Sequence, residues 1–568
     1  MPSDPVLNAL LKQTGLFSAE QLALFAGSDR SEDPSITATV VRLGLAKEED
    51  FLRAAADVLG LEYLPVASLD TPSRDLVERL PAYAVSQYNV APVRFEDGVL
   101  TVVTCDPFDL HLLDGLRLVT GLPVEAVVCT AEEVGKYVRK CYGVGAAALE
   151  NMIREGKYEA DTSTDFSKFD VGDEEGQEAS IVKFVNQVIA EADRQGATDI
   201  HIEPMEKELR IRYRIDGMLH KVDVPPQLQR VQPAVISRIK VMASLDIAEK
   251  RLPLDGRIGI HANGKEIDIR VSTCPIAYGE SVSLRLLQKS GGIVRFSDLG
   301  MGERDHNVID RTIHRPNGIL LVTGPTGSGK STSLYAFLHE INTIDKRILT
   351  AEDPVEYEMA GINQVQVHAD IGLTFARILR SFLRQDPDVM MVGEIRDGET
   401  AQIAVQASLT GHLVFSTLHT NDAAGAFTRL TDMGVEPYLI ASSVAGVLAQ
   451  RLVRRLCPLC KAPAPPKAES LRNRGIDPAL FEGKTVLGPV GCEKCSKTGY
   501  KGRGGIFEVL AVSEAIQSLV TARAPAGDIK AVAIKEGMLT LREDGWRRVF
   551  NGFTTVDEVF RVTEDQAE

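Results

Sequence analysis

The chain has 568 residues, with 63 Lys and Arg against 79 Asp and Glu, and a net charge of −16. That length suggests roughly three to four domains. The acidic balance argues against a general nucleic-acid partner, which is held mainly by neutralising phosphates. The sequence has no uninterrupted apolar run of about 18 residues, so no transmembrane helix is expected. Met1-Pro2-Ser3-Asp4-Pro5 lacks the basic region and apolar core of a secretory signal, which points to the cytoplasm.

Residues 1–65 read as a helical subdomain. Thr14-Gly15-Leu16-Phe17-Ser18-Ala19-Glu20-Gln21-Leu22 is echoed by Leu43-Gly44-Leu45-Ala46-Lys47-Glu48-Glu49-Asp50-Phe51. Each segment ends one helix at Gly and opens another. Residues 66–147 read as α/β, with Asp97-Gly98 as a hairpin turn between two strands. Residues 148–178 are acidic and lack apolar periodicity, the signature of a flexible linker. Order resumes in residues 179–292. Ile181, Phe184, Val185, Val188 and Ile189 recur at helical spacing, and strands are predicted at Asp199–Ile202, Leu209–Arg214, Met218–Val222, Ile267–Val271 and Ser281–Leu286. Residues 293–456 alternate strands and helices, predicting a mostly parallel sheet. Residues 457–505 are loop-rich and residues 506–568 helical.

Within the parallel segment, Gly324-Pro325-Thr326-Gly327-Ser328-Gly329-Lys330-Ser331 spells G-x-x-x-x-G-K-[ST]. The apolar strand Gly318–Thr323 precedes it, and a helix continuing through Thr332 follows, which is the context a phosphate-binding loop requires. Glycines let backbone N–H groups curl round a β-phosphate, and the helix N-terminus adds positive charge. Lys330 can reach the β- and γ-phosphates, and the Ser331 hydroxyl can hold Mg²⁺. Downstream, an apolar strand runs into Glu352-Asp353, where a carboxylate can orient the water that attacks the γ-phosphate. A second strand, Asp388–Val392, delivers Glu394, placed to bind Mg²⁺ through water. His412 and His419 flank a third strand, and both are candidate γ-phosphate sensors.

Of eight cysteines, Cys457, Cys460, Cys492 and Cys495 form two CxxC pairs with 31 residues between them. Four thiolates at this spacing suit tetrahedral Zn²⁺. Cys105, Cys129, Cys141 and Cys274 stand in apolar surroundings and read as reduced core thiols. Arg451-Leu452-Val453-Arg454-Arg455 is a candidate local basic patch.

Together these motifs resemble the secretion ATPases of the type II secretion and type IV pilus superfamily, over nearly the whole chain. Ala197-Thr198-Asp199-Ile200-His201-Ile202-Glu203-Pro204 and the run Ile239–Arg251 look like that family's second N-terminal domain. The segments around Glu352, Glu394 and His412 look like its Asp box, Walker B and His box. The resemblance implies a multidomain α/β protein. A RecA-like motor domain follows a PAS-like α+β domain and an N-terminal helical plus α/β domain, and carries a tetracysteine zinc element. It implies a cytoplasmic homohexamer, using ATP and Mg²⁺, held at the inner membrane by platform proteins. Those partners are the cytoplasmic domain of the bitopic L-type protein and the polytopic F-type protein. It also implies that Arg270 and Arg285 reach the phosphates, a task suited to a planar, permanently charged group. Thr400–Thr410 and Asp432–Pro437 look more like the type II secretion member than the pilus-extension member. The N-terminal region resembles a domain that binds cyclic di-GMP in some members. Its first repeat lacks the Arg-Leu-Gly opening and its second is shortened, so docking is expected rather than cyclic di-GMP binding. Ser281 stands where relatives carry a basic residue.

Overall fold

The computed structural model describes residues 10–26, 35–66, 69–70, 72–143, 146, 169–170, 179–262, 265–288 and 294–563. It divides into two units, Met1–Lys289 and Ser290–Glu568.

The first unit opens with helices Ala19–Ala26, Ile36–Arg42 and Glu48–Leu59. Gly15 and Gly44, at φ +70° and +64°, end the helical turns before the two repeats. Ser18 and Gln21 then cap the first repeat reciprocally, the Ser18 N–H donating to Gln21 Oε1 at 2.9 Å and the Gln21 N–H to Ser18 Oγ at 3.2 Å. The second repeat has no such side-chain cap at Lys47. Its first turn instead carries Glu48, Glu49 and Asp50, which complement the helix's positive end.

Strands β1 (Glu62–Tyr63), β2 (Val90–Glu96), β3 (Val99–Thr104) and β4 (Val124–Val128) form one sheet in the order β1-β4-β3-β2. Asp97 and Gly98, at φ 50° and 78°, make the expected hairpin turn between β2 and β3. Cys129 is buried in this subdomain, with Cys105 and Cys141 partly buried beside it. Burial pushes the Cys105 and Cys129 thiols up to about 11 and Cys141 to about 12, which favours the protonated thiol; Asn89 donates to Cys105 Sγ at 3.2 Å and Cys129 Sγ donates to Glu133 at 3.1 Å. Cys274 departs from expectation: it is exposed, because its strand turns that side chain away from the core.

The rest of this unit is built on β5 (Phe169–Asp170), β6 (Ala197–Pro204), β7 (Leu209–Ile215), β8 (Met218–Lys221), β9 (Leu254–Ala262), β10 (Lys265–Ile276) and β11 (Gly279–Gln288), in the order β5-β9-β10-β11-β6-β7-β8. The predicted linker lies largely outside the described residues. Within it, Phe169–Asp170 pairs parallel with β9 at Ile260 and His261, so that stretch is not purely a linker. Strand β9, Leu254–Ala262, was not predicted. The structure needs its glycine at 256: a Cβ on Gly256 would lie 2.7 Å from the Ala243 carbonyl. Helices Ala179–Arg194 and Gln232–Met242 bury Phe184, Val185, Val188, Ile189, Val235 and Ile239 with Ile200, Ile211, Ile269 and Leu284 in one core. Lys240 is almost sealed, 2.5 Å from Glu280 Oε1, and donates to the Glu249 carbonyl at 2.7 Å. A lone ammonium there would be costly, so the pair joins the helix to β11 as a unit.

The second unit contains β12 (Gly318–Thr323), β13 (Ile348–Glu352), β14 (Asn363–Gln366), β15 (Val389–Val392), β16 (Leu413–Leu418), β17 (Val444–Leu456), β18 (Ala462–Pro463), β19 (Leu487–Gly488) and β20 (Tyr500–Ala511). Its main sheet runs β14-β13-β15-β16-β12-β17-β20, parallel except for β20 against β17. Its middle strands are apolar along their length because both faces are covered. Leu321, Val392 and Val414 sit in one core, and Leu320, Met391 and Phe415 in the other. No helix among the described residues is long and apolar enough to cross a membrane.

The run from Arg451 to Arg455 is not a continuous basic patch. Arg451 is 8% exposed, and Arg454 lies over the Tyr500 ring and donates to Glu558 at 2.7 Å. Burial raises the Glu558 pKa, but hydrogen bonds from Arg561 and Arg454 outweigh it and hold the carboxyl at about 2. Its stabilising contribution is therefore complete above the ordinary carboxylate value of about 4.5. It is lost as pH falls toward 2. We expect Glu558→Gln to lower the melting temperature at pH 7 and to lose this part of the acid dependence. Parallel melting curves for variant and wild type from pH 7 to 3 would contradict the assignment.

Candidate functional site

In the parallel sheet, strand direction sets which groups meet. Gly324, Glu352, Glu394 and His419 all lie at or just beyond the C-terminal ends of β12, β13, β15 and β16, on one edge. His412 precedes β16 and lies at the opposite edge, about 20 Å away along a six-residue strand. Its Nδ1 is 2.9 Å from the Ala407 carbonyl, and the Thr410 hydroxyl is 3.3 Å away. The two candidate γ-phosphate sensors therefore lie at opposite edges, since one strand cannot present both of its ends to the same edge.

The loop from Gly324 to Gly329 holds a conformation few other residues could adopt. Gly324 and Gly329 have φ of +145° and +90°, and added Cβ atoms would lie 2.6 Å from the Gln450 carbonyl and 2.7 Å from Gln450 Nε2. Ser328 is 3% exposed, and its hydroxyl has no hydrogen-bond partner among the described residues, an unfilled polar site inside the loop. The exposed Ser331 and Thr332 follow at the start of helix Lys330–Ile341, with Pro325, Thr326 and Gly327 exposed on the loop. Lys330 Nζ donates to the carbonyls of Gly324 at 2.9 Å and Pro325 at 3.0 Å. Burial pushes its pKa down to about 8, with Glu394 opposing the shift and Arg451 adding to it. The loop thus offers backbone donors, an orphan hydroxyl and a lysine to an anion.

Around it, Glu394 is paired with Arg396, and His419 Nε2 lies 3.5 Å from its Oε2. Arg396 also lies 3.6 Å from Asp353. Glu352 is 4% exposed and accepts from the hydroxyls of Tyr335 and Thr350 and from the Gln364 amide. Arg396, Tyr335, Gln364 and Gln450 are neighbours that sequence reasoning missed. Arg396 is two residues from Glu394 and was within reach of a local reading. The others come from distant positions and carry no local signal.

Arg270 and Arg285 face each other across β10 and β11, and Arg257 pairs with Arg270 from β9. The alternation that buries Ile269 and Leu284 puts these arginines on the sheet's other face. Arg285 Nε donates to Asp199 Oδ1 at 2.9 Å.

The four paired cysteines converge, with all sulfur atoms within 4.8 Å of one another. Cys457–Cys492 and Cys460–Cys495 are 3.8 Å apart and Cys492–Cys495 is 3.7 Å. A tetrahedron with Zn–S bonds of about 2.3 Å has edges of about 3.8 Å, so the donor set fits Zn²⁺. N–H groups of Cys492 and Gly499 donate to Cys495 Sγ at 3.1 and 3.2 Å, as a thiolate ligand requires.

Residues 174–561 match the family described as type II/IV secretion system protein, and residues 59–148 match the MshEN domain. The chain is 44% identical over 562 residues to type II secretion system protein E of Xanthomonas campestris pv. campestris, covering 98% of this chain and 96% of that protein. It is 42% identical over 556 residues to the type IV pilus assembly ATPase PilB of Myxococcus xanthus, covering 97% and 98%. Type II secretion system protein E of Pseudomonas aeruginosa is 52% identical over 393 residues, 69% of this chain and 77% of that protein. Among solved structures, the Legionella pneumophila ATPase DotB superposes with a TM-score of 0.50 at 20% identity, covering 70% of this chain and all of that one, which supports the fold alone. The chain belongs to the type II/IV secretion system protein family of secretion and pilus-assembly ATPases, and is an ATPase that uses ATP with Mg²⁺.

Proposed function

We propose that the chain is the hexameric motor of a type II secretion system, moving inner-membrane platform and pseudopilus components at the expense of ATP. The supporting observation is its likeness to proteins named type II secretion system protein E, at 44% identity across nearly the whole chain and 52% across residues in the larger part of it. Type IV pilus assembly is the second reading, favoured by the 42% likeness to PilB over almost all of both chains.

In this reading the amides of residues 324–329 and Lys330 hold the β- and γ-phosphates, and Ser328 fills its open hydrogen bond on them. Ser331 and Glu394 would hold Mg²⁺, which supplies charge neutralisation at the phosphates. Glu352 orients the attacking water and takes its proton as the bond from the γ-phosphorus to the bridging oxygen breaks and ADP leaves. His419 senses the γ-phosphate through Glu394. Arg270 and Arg285 stabilise the transferred phosphoryl group. His412 is left out of this set. Cys457, Cys460, Cys492 and Cys495 form a structural zinc site, and the N-terminal part docks to the platform.

Full-length protein should hydrolyse ATP several-fold faster with the cytoplasmic domain of a type II secretion L-type platform protein than without it. Stimulation supports secretion. Stimulation by pilus platform proteins alone would overturn that choice in favour of pilus assembly.

A further inference from the structure

The surroundings of Glu352 carry an assignment beyond the phosphate-binding loop and the carboxylates. An ionised carboxylate offers about four lone-pair sites. Oε1 accepts from Thr350 Oγ1 at 2.6 Å and Gln364 Nε2 at 3.1 Å, which fills both of its sites. Oε2 accepts from the Tyr335 hydroxyl and has no other partner among the described residues. One lone-pair site on Oε2 is therefore left for a water.

Each donor is itself held. Tyr335 is 1% exposed, and its ring stands edge-on to Tyr357 with centroids 4.3 Å apart. Its oxygen accepts the Glu356 N–H at 3.2 Å, so its proton is committed to Glu352. The Gln364 side-chain oxygen accepts the Met359 N–H at 2.7 Å, which fixes the amide's orientation and directs its NH₂ to Glu352. Among the described residues the carboxylate is thus aimed by neutral donors, Tyr335, Thr350 and Gln364, and makes no ion pair. A salt bridge at that carboxylate would have competed with the water.

Tyr335 also lies on the helix that begins at Lys330. The element that would carry the phosphate-binding lysine therefore carries the hydroxyl that aims the carboxylate, and helix geometry fixes the distance between the two functions.

We propose that Tyr335 is a positioning residue for ATP hydrolysis: its hydroxyl fixes the Glu352 carboxylate so that the remaining Oε2 site meets the attacking water. This rests on the reading of Glu352 as the water-orienting group. Tyr335→Phe deletes one oxygen and keeps the ring packing against Tyr357. A small misplacement of a reacting group costs up to about a hundredfold in rate. The variant should therefore lose roughly tenfold to a hundredfold in kcat while KM for ATP stays within about twofold.

The test compares wild type, Tyr335→Phe, Glu352→Gln and the double variant as full-length proteins, with affinity for a non-hydrolysable ATP analogue measured on each. The expected result is a loss in kcat for Tyr335→Phe, unchanged analogue affinity, and no further loss when the change is added to Glu352→Gln. Wild-type kcat in Tyr335→Phe would overturn the proposal. So would an equal fractional loss in both backgrounds, because the tyrosine would then act independently of the carboxylate. Loss of analogue affinity in parallel with kcat would also overturn it, since a damaged nucleotide site would explain the result. Wild-type turnover in Glu352→Gln alone would instead remove the role given to Glu352.

Discussion

Lys330→Ala is expected to cut ATP turnover by at least about a thousandfold, in line with the loss of other cationic groups that face a transferred phosphoryl. The lysine is at the first position of helix Lys330–Ile341, beneath a loop that a Cβ at Gly324 or Gly329 would distort. Its ammonium now satisfies the Gly324 and Pro325 carbonyls. It must leave them to reach a phosphate, and the exchange is favourable because a polyanion replaces two neutral acceptors. Burial has already lowered its pKa to about 8, so an incoming phosphate charge also favours the protonated form. Alanine removes this cation but leaves the backbone donors, so residual nucleotide binding should persist. Folding should be spared, since alanine is a good helix former and the freed carbonyls border an exposed part of the loop. Turnover with a steady-state ATPase assay, together with circular dichroism and thermal melting, checks both halves. A variant that is folded and fully active would sink the assigned site.

The second large effect is expected at the cysteines. Cys457→Ser should take bound zinc from about one ion per chain to nearly none by elemental analysis, and loosen residues 457–505. Structural Zn²⁺ contributes on the order of 10 kcal/mol to small domains. From Tyr500 the segment is held by pairing of β20 with β17, but before that its other supports are few: Lys461 on the Gly552 carbonyl, Arg474 on Asp557 and over Phe560, and Lys484 over Phe550. Its strands β18 and β19 pair over two residues each, and its apolar contacts include Leu471, Ile476, Phe481 and Val486 against Trp546, Val549, Phe550, Val556 and Phe560. Limited proteolysis should therefore cut within residues 457–505 while β12 to β16, with their separate cores, remain protected. Unchanged metal content would refute the site. Loss of metal with no change in cleavage would show that the aromatic contacts alone hold the element.

The phosphate-binding loop and the paired cysteines were legible in the sequence because their chemistry is local. Consecutive amides must wrap a phosphate, and a CxxC turn brings two sulfur atoms to one point. The strands ending at Thr323, Glu352 and Val392 were also legible, since a strand covered on both faces leaves a continuous apolar run. Strand β9 was not, because Gly256 is present for a close backbone approach and looks like a turn residue. Cys274 and Arg454 were misread for a related reason: apolar neighbours in sequence do not fix which face a strand residue occupies, and a basic run does not say which arginine finds a buried carboxylate such as Glu558.

What the sequence determined alone was the class of protein and the local groupings of residues, the glycine-rich loop with Lys330 and the four converging cysteines. Tertiary structure decided the rest. Parallel strand direction put Glu352, Glu394 and His419 on one edge and His412 on the other. Register across three strands aligned Arg257, Arg270 and Arg285. Packing brought Tyr335 and Gln364, 17 and 12 residues from Glu352 in the chain, onto its carboxylate. The physical reason is the same in each case: a motif fixes groups joined by a few rotatable bonds, while the orientation of a buried carboxylate depends on donors that only the folded core brings within hydrogen-bond reach.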